Sequence, residues 1–362
     1  MKGLYSDVVS CALRDPAAVV TWPLPQWDVL VRQARRADLL SRIAADLHRQ
    51  GLLHQVPGAP RAHLEAARVV AHAQQEAVRR EVTYVLEALA RVNVDIVLLK
   101  GAAYLLAALP AAEGRLFSDI DILVPKNALA EVEAALMLHG WATTHHDEYD
   151  QRYYRRWMHE LPPMQHIKRL TILDVHHAIL PVTARLKPDS RKLMAASRPV
   201  PGHARLRVLA PADMVLHSAT HLFHNEELSH GLRDLADVDS LLRFFGRDPD
   251  FWPHLTQRAT ELDLVYPVYY ALRYGQQIFN TPVPHDVLSE IGRNAPSAAL
   301  RPLIDSLWLR ALRPDHATAA DWLTRAARGL LYVRAHWLRM PPLLLTYHLG
   351  VKAWRKRGRE KE

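Results

Sequence analysis

Two aspartates, Asp119 and Asp121, stand one residue apart in "LFSDIDILV", among Ile, Leu and Val. Strand residues two apart share a face, so both carboxylates project together while Ile120 and Ile122 turn into the core. Two bare carboxylates side by side repel each other, and one is pushed toward its protonated form unless a cation holds them. Mg²⁺ suits that role because it prefers oxygen ligands and keeps open positions for substrate phosphates; Mn²⁺ is the alternative ion. A third acid, Asp174, sits alone in the apolar run "LTILDVHH". If its strand neighbours the first, three carboxylates meet. Such a set can hold two Mg²⁺ about 3.5–4 Å apart, the arrangement for in-line displacement at phosphorus. D-x-D by itself is a frequent chance pattern; the apolar flanks and the third acid set this one apart. Upstream, "LLKG" ends another apolar run in Lys100-Gly101. A glycine leaving a strand lets backbone N–H groups approach a phosphate beside a helix N-terminus, and Lys100 adds a positive charge. The plain alternative is a strand-to-helix turn with a solvated lysine.

The elements that must position these residues form a short α/β stretch between two helical ones. Residues 1–90 read as helical. "LPQWDVLVRQARRADLLSRIAADLHRQGLL" carries helical spacing and stops near Gly51, "VPGAPRAH" is a turn, and an Ala-rich helix pattern runs to Val92. From Val94 to residue 182 the pattern alternates. "VDIVLLKG" and "FSDIDILVP" are strands, with the helix "AAYLLAALP" between them. "NALAEVEAALMLHGW" is a helix, "WATTHHDEY" a third strand with "THHDE" as a loop, and "PMQHIKRLTILDVHHAIL" two more strands. After Pro181 the chain turns helical to the end, closing on a basic tail. The expected fold class is α+β: a mixed sheet core over 91–182, flanked by helical regions over 1–90 and 183–362.

Composition narrows the classes. A hydrophobic share of 49% and a charged share of 23% are ordinary for a globular protein. The net charge of +8 is spread along the chain, which suits a polyanionic ligand such as a nucleotide and points only weakly to nucleic acid. The single cysteine, Cys11, excludes an internal disulfide and a Cys-based metal site, and fits a reducing compartment. The first residues lack an apolar signal-peptide core and no stretch is long enough to span a bilayer, so the expected location is cytoplasmic.

A strand ending in Gly, a helix, a strand bearing D-h-D and a later strand with one Asp resembles the nucleotidyltransferase superfamily that includes DNA polymerase β. More closely, the chain resembles a bacterial family of uncharacterised nucleotidyltransferases. That family pairs "LKG" with "R-x-x-S/G-D-I-D-L-L-V", followed by "D-h-H". Here these are Leu99-Lys100-Gly101, Arg115 through Val124, and Asp174-Val175-His176. Its helical region carries "H-x-x-x-H" and "L-R-x-x-x-D", here His217 to His221 and Leu232-Arg233 to Asp237. The N-terminal helices and "HWLRMPP" are also similar. Against the superfamily, Ala102 follows Gly101 where Gly or Ser is usual, and the gap from Gly101 to Asp119 is longer.

The resemblance implies transfer of a nucleotidyl group from an NTP, ATP binding included, to an unidentified hydroxyl acceptor, with release of pyrophosphate. The acceptor class extends over small molecules, glycans, peptides and proteins. Asp119, Asp121 and Asp174 would hold Mg²⁺ and catalyse, Asp174 activating the acceptor hydroxyl. Lys100 and Gly101 would contact the triphosphate, with Ser118 and Arg115 as further phosphate contacts. His176, His221, Arg233 and Asp237 are candidate substrate contacts.

Three readings compete on other residues. "HSATHLFH" sets His217, His221 and His224 near one helix face, a spacing open to Zn²⁺. It lacks the Glu of H-E-x-x-H, so the expected role is lining the join between the helical region and the sheet. His176 orders Asp174, reaches the acceptor or is a satisfied core histidine. The basic, aromatic C-terminus could touch an anionic membrane, but Pro341-Pro342 interrupts it and a packed helix with a solvated tail is favoured; no nucleic-acid module accompanies the charge. The functional alternatives are a sugar-nucleotide glycosyltransferase, since D-x-D also binds Mn²⁺, and a non-catalytic nucleotide-binding protein.

Overall fold

The computed structural model describes residues 8–144, 147–293, 296–297, 299–341 and 346. Its centre is a seven-stranded mixed sheet. The strands are β1 (Ile96–Leu98), β2 (Ile120–Leu123), β3 (Trp141–Thr143), β4 (Met164–His166), β5 (Ile172–His176), β6 (Arg198–Pro199) and β7 (Leu206–Val208). Their spatial order is β3-β4-β5-β2-β1-β7-β6. β2 lies antiparallel to β1 and parallel to β5, and β1 lies parallel to β7. Every residue of β1 and β2 is buried, Asp121 included, so the sheet's centre is covered on both faces. Continuous apolar runs are what such strands require.

The helices around the sheet follow their apolar stripes. Helix Gly58–Ala88 buries Leu64, Ala71, Val78, Val82 and Val85, one face of a long rod. Helix Pro211–His224 is buried on nearly every side and packs beside helix Val265–Phe279. Aromatics close that region: the Phe223 ring meets Trp308 edge-on at 4.8 Å, and the Arg334 guanidinium lies over Tyr270 and Trp308. A single hydrophobic core runs from Val9 to Leu331 through sheet and helices alike.

The α+β class with flanking helices is the one expected. Several details differ. The first helical stretch is two helices, Leu24–Arg36 and Leu40–Arg49, broken where Asp38 takes φ +55°, a left-handed conformation that aspartate tolerates better than most residues. The turn at "VPGAP" already contains the start of helix Gly58–Ala88, with Pro60 in its first turn, where a missing N–H is harmless. The segment after β3 forms helix Glu148–Trp157, capped by Asp147, so "THHDE" is not loop throughout; its His145 and His146 lie outside the described residues. The region after Pro181 is not wholly helical, because β6 and β7 extend the sheet beyond β1. The basic tail beyond Pro341 lies outside the described residues, apart from Thr346. Among the described residues, no helix is long and apolar enough to cross a membrane.

Candidate active site

Register decides which acids meet. In the parallel pair of β2 and β5, Asp121 stands opposite Asp174 and Leu123 opposite His176. Asp119, two residues before Asp121, is half-buried at the entrance to β2. Ligand oxygens of Asp119, Asp121 and Asp174 all lie within 4.8 Å of one another. They form part of the wall of a cleft of about 310 Å³. The cleft is also lined by His217, Thr220, His221 and His224 from helix Pro211–His224, and by Tyr154, Glu226 and Arg339.

The counter-charges are few. Asp121 Oδ1 accepts from Lys100 Nζ at 2.9 Å and from His176 Nε2 at 2.9 Å. Burial opposes ionisation of Asp121, but Lys100 and His176 outweigh it and hold its carboxyl well below the usual range. Asp174 has less help, His176 alone favouring its ionised form. Burial, then the charge of Asp121, push its carboxyl up to about 7. Its Oδ1 is buried without a hydrogen-bond partner. Three carboxylates around one lysine, with one oxygen orphaned, fit a divalent cation, and the all-oxygen donor set suits Mg²⁺ or Mn²⁺.

Lys100 is not solvated. Burial would lower its pKa, yet Asp121 and then Asp119 raise it, so it stays charged. Its backbone takes φ +45°, a strained value for a lysine, at the step from β1 into helix Lys100–Leu106. The next residue explains the glycine. A Cβ at Gly101 would lie 2.3 Å from Arg115 Nη1 and 2.8 Å from Arg115 Cζ. Gly101 therefore admits a guanidinium, and its backbone does not line the cleft.

The remaining predicted residues divide sharply. His176 faces Asp121 rather than Asp174, and His221 lines the cleft. Burial, followed by Lys100, pushes both His217 and His221 well down, and burial with Arg334 pushes His224 to about 3, so this wall is neutral. Arg115, Arg233 and Asp237 do not line the cleft. Arg115 is buried, its Nε donating to Asp237 Oδ2 at 2.9 Å, and Asp237 also receives Arg42. That placement sets Arg115, read as a phosphate contact, and Asp237, read as a substrate contact, in a buried network with Arg42, away from the cleft. Arg233 pairs with Asp234 at 2.9 Å. Ser118 donates to Asp119 Oδ1 at 2.9 Å and stays exposed.

Sequence reasoning missed His159, Glu160, Tyr154 and Arg339, all of which line the cleft. The first two lie in an irregular segment with no periodicity to flag them; "HWLRMPP" contains Arg339, the one signal available. No curated protein and no solved structure matches the chain. One family model does, over residues 23–280, which take in the N-terminal helices from Pro23, the whole sheet with its three carboxylates, and the histidine wall. The chain belongs to the family of uncharacterised nucleotidyltransferases.

Proposed function

We propose that the chain moves a nucleotidyl group from an NTP to an acceptor hydroxyl, using Mg²⁺ held by Asp119, Asp121 and Asp174. The observation that carries this reading is the meeting of those three carboxylates on one cleft wall beside a single buried lysine. The cation supplies charge neutralisation on the phosphates. Lys100 and His176 keep Asp121 ionised and fixed in orientation. Asp174 takes the proton of the attacking hydroxyl. The acceptor oxygen bonds to the α-phosphorus, the bond from that phosphorus to the α–β bridging oxygen breaks, and pyrophosphate leaves with the electron pair. The neutral histidine wall is open to the acceptor or the base. The cleft volume is at the small end for ligand sites, so a nucleotide fills most of it and the acceptor enters from the rim.

The test is pyrophosphate release from each of the four NTPs with Mg²⁺, with a cell extract as acceptor source, for wild type and Asp121→Asn. Release that depends on Asp121 supports the reading. Release of a nucleoside diphosphate in place of pyrophosphate would favour a sugar-nucleotide transferase. Tight NTP binding with no turnover in any extract would favour a binding protein.

A further inference from the structure

A second donor cluster stands beside the carboxylates, made by His159, Glu160 and His176. One donor atom from each lies within 4.8 Å of the others. His176 Nδ1 is 3.1 Å from Glu160 Oε2, and His159 Nε2 is 3.9 Å from the same oxygen. Ligands bound about 2.0–2.2 Å from one ion, at tetrahedral or square angles, are separated by about 2.8–3.6 Å, a range that holds the first of these separations and that the second exceeds slightly. His176 Nδ1 is buried 3.1 Å from Glu160 Oε2, a gap that either a second ring proton or a metal ion can fill. Its other nitrogen donates to Asp121 Oδ1. A histidine that gives one N–H to a carboxylate offers the lone pair of its other nitrogen, the pattern that orients metal-ligating histidines.

The backbone holds this cluster in place. Glu160 bridges His176 in antiparallel fashion, Leu161 N–H donates to Val175 O at 2.9 Å, and His177 N–H donates to His159 O at 2.8 Å. His176 ends β5, and these backbone bonds tie the irregular segment of His159 and Glu160 to it. They also line the cleft, so a fourth position opens onto it.

We infer that His159, Glu160 and His176 form a second cation site, selective for a Zn²⁺-class ion. Two imidazoles and one carboxylate favour Zn²⁺ over Mg²⁺, whereas Asp119, Asp121 and Asp174 offer oxygen alone. Three protein ligands leave a place for water or substrate, as in catalytic zinc sites. Asp121 then belongs to both sites: it can ligate Mg²⁺ and it orients His176 toward the second ion. Nothing in this inference requires that nucleotidyl transfer be the reaction.

The test uses the full chain stripped of metal and titrated with Co²⁺ alone in excess Mg²⁺, read by visible absorption, with Zn²⁺ content measured in parallel. Wild type should bind one Co²⁺ with the intense bands of a four-coordinate ion and exchange it for Zn²⁺. His159→Gln and Glu160→Gln should weaken binding by about a hundredfold or more, while Asp119→Asn should keep the bands. Circular dichroism checks that each variant folds. Absence of the bands in wild type would overturn the site and leave His176 as an imidazolium held between Asp121 and Glu160. Bands lost in Asp119→Asn but kept in His159→Gln would place the ion among the aspartates, and equal loss in all three variants would also overturn it. None of these results depends on turnover, so they separate from the fate of the transferase assay.

Discussion

Buried aspartates in the helical part of the molecule and those at the cleft obey opposite rules. Asp213, fully buried, accepts a bidentate fork from Arg258 at 2.9 and 2.8 Å. Asp305 is matched by Arg273 and Tyr274, and Asp237 by both Arg42 and Arg115. Each acid there has its cation, because an unpaired buried charge is costly. At the cleft, three acids share Lys100 and His176, and the ionisation of Asp174 is suppressed as a result. A fold that matches its charges so closely elsewhere leaves this one cluster short of positive charge. That deficit supports the proposal that a cation from solution binds there.

The contrast can be broken by substitution. Asp121→Asn should reduce pyrophosphate release by about a thousandfold, the scale for removing a group that stabilises developing charge, while far-UV circular dichroism stays unchanged. Retained activity would remove Asp121 from the chemistry. Asp237→Ala should do the reverse, costing about 3–5 kcal/mol of stability by stranding two buried guanidinium groups. Urea denaturation measures it, and a loss under 1 kcal/mol would mean that the buried network carries little.

Smaller effects sharpen the same division. Gly101→Ala should destabilise by about 1–3 kcal/mol, since the new methyl must displace the Arg115 guanidinium; thermal unfolding reads it. Asp174 offers a pH test. Its folded carboxyl titrates near 7, whereas an unfolded aspartate titrates near 3.9. Between those values the native state keeps a proton that the unfolded chain has released. The stability this provides is complete below about pH 4 and is lost as the pH rises through 7. Asp174→Asn should therefore flatten the decline in thermal midpoint between pH 4 and 7, and gain up to about 4 kcal/mol at pH 8. A variant whose pH slope matches wild type would remove the repulsion from the account.

Much of the cleft was legible because strand periodicity is a strong local signal. "VDIVLL", "DIDILV" and "TILDV" announce buried strands, and a lone acid in such a run stands out. Their adjacency was an assumption that the β2–β5 register satisfies. Arg115 misled because it sits next to the D-h-D strand in sequence while its partner Asp237 is 122 residues away. Arg42 carries no signal of its own in the sequence, and it is buried. β6 and β7, two and three residues long, are too short for periodicity to show, and only pairing with β1 makes them strands. His159 and Glu160 gain meaning only from a backbone bridge to β5.

The parallel pairing of β2 and β5 carries a consequence for how this architecture tolerates change. The chain between them, residues 124–171, makes helices and the β3–β4 ribbon before returning. Closing a longer loop costs little, about 0.6 kcal/mol for each doubling of its length, so the exposed turns of that excursion can grow or shrink. The return itself admits no gradation. A slip of one residue in β5 would set Leu173 or Val175 against Asp121 and turn Asp174 to the opposite face. Insertions in the turns between the two strands can thus remodel the surroundings of the cleft, while a single insertion within either strand erases the cluster. The surroundings can drift in such a molecule by changes of length, and the cluster changes only by all or nothing.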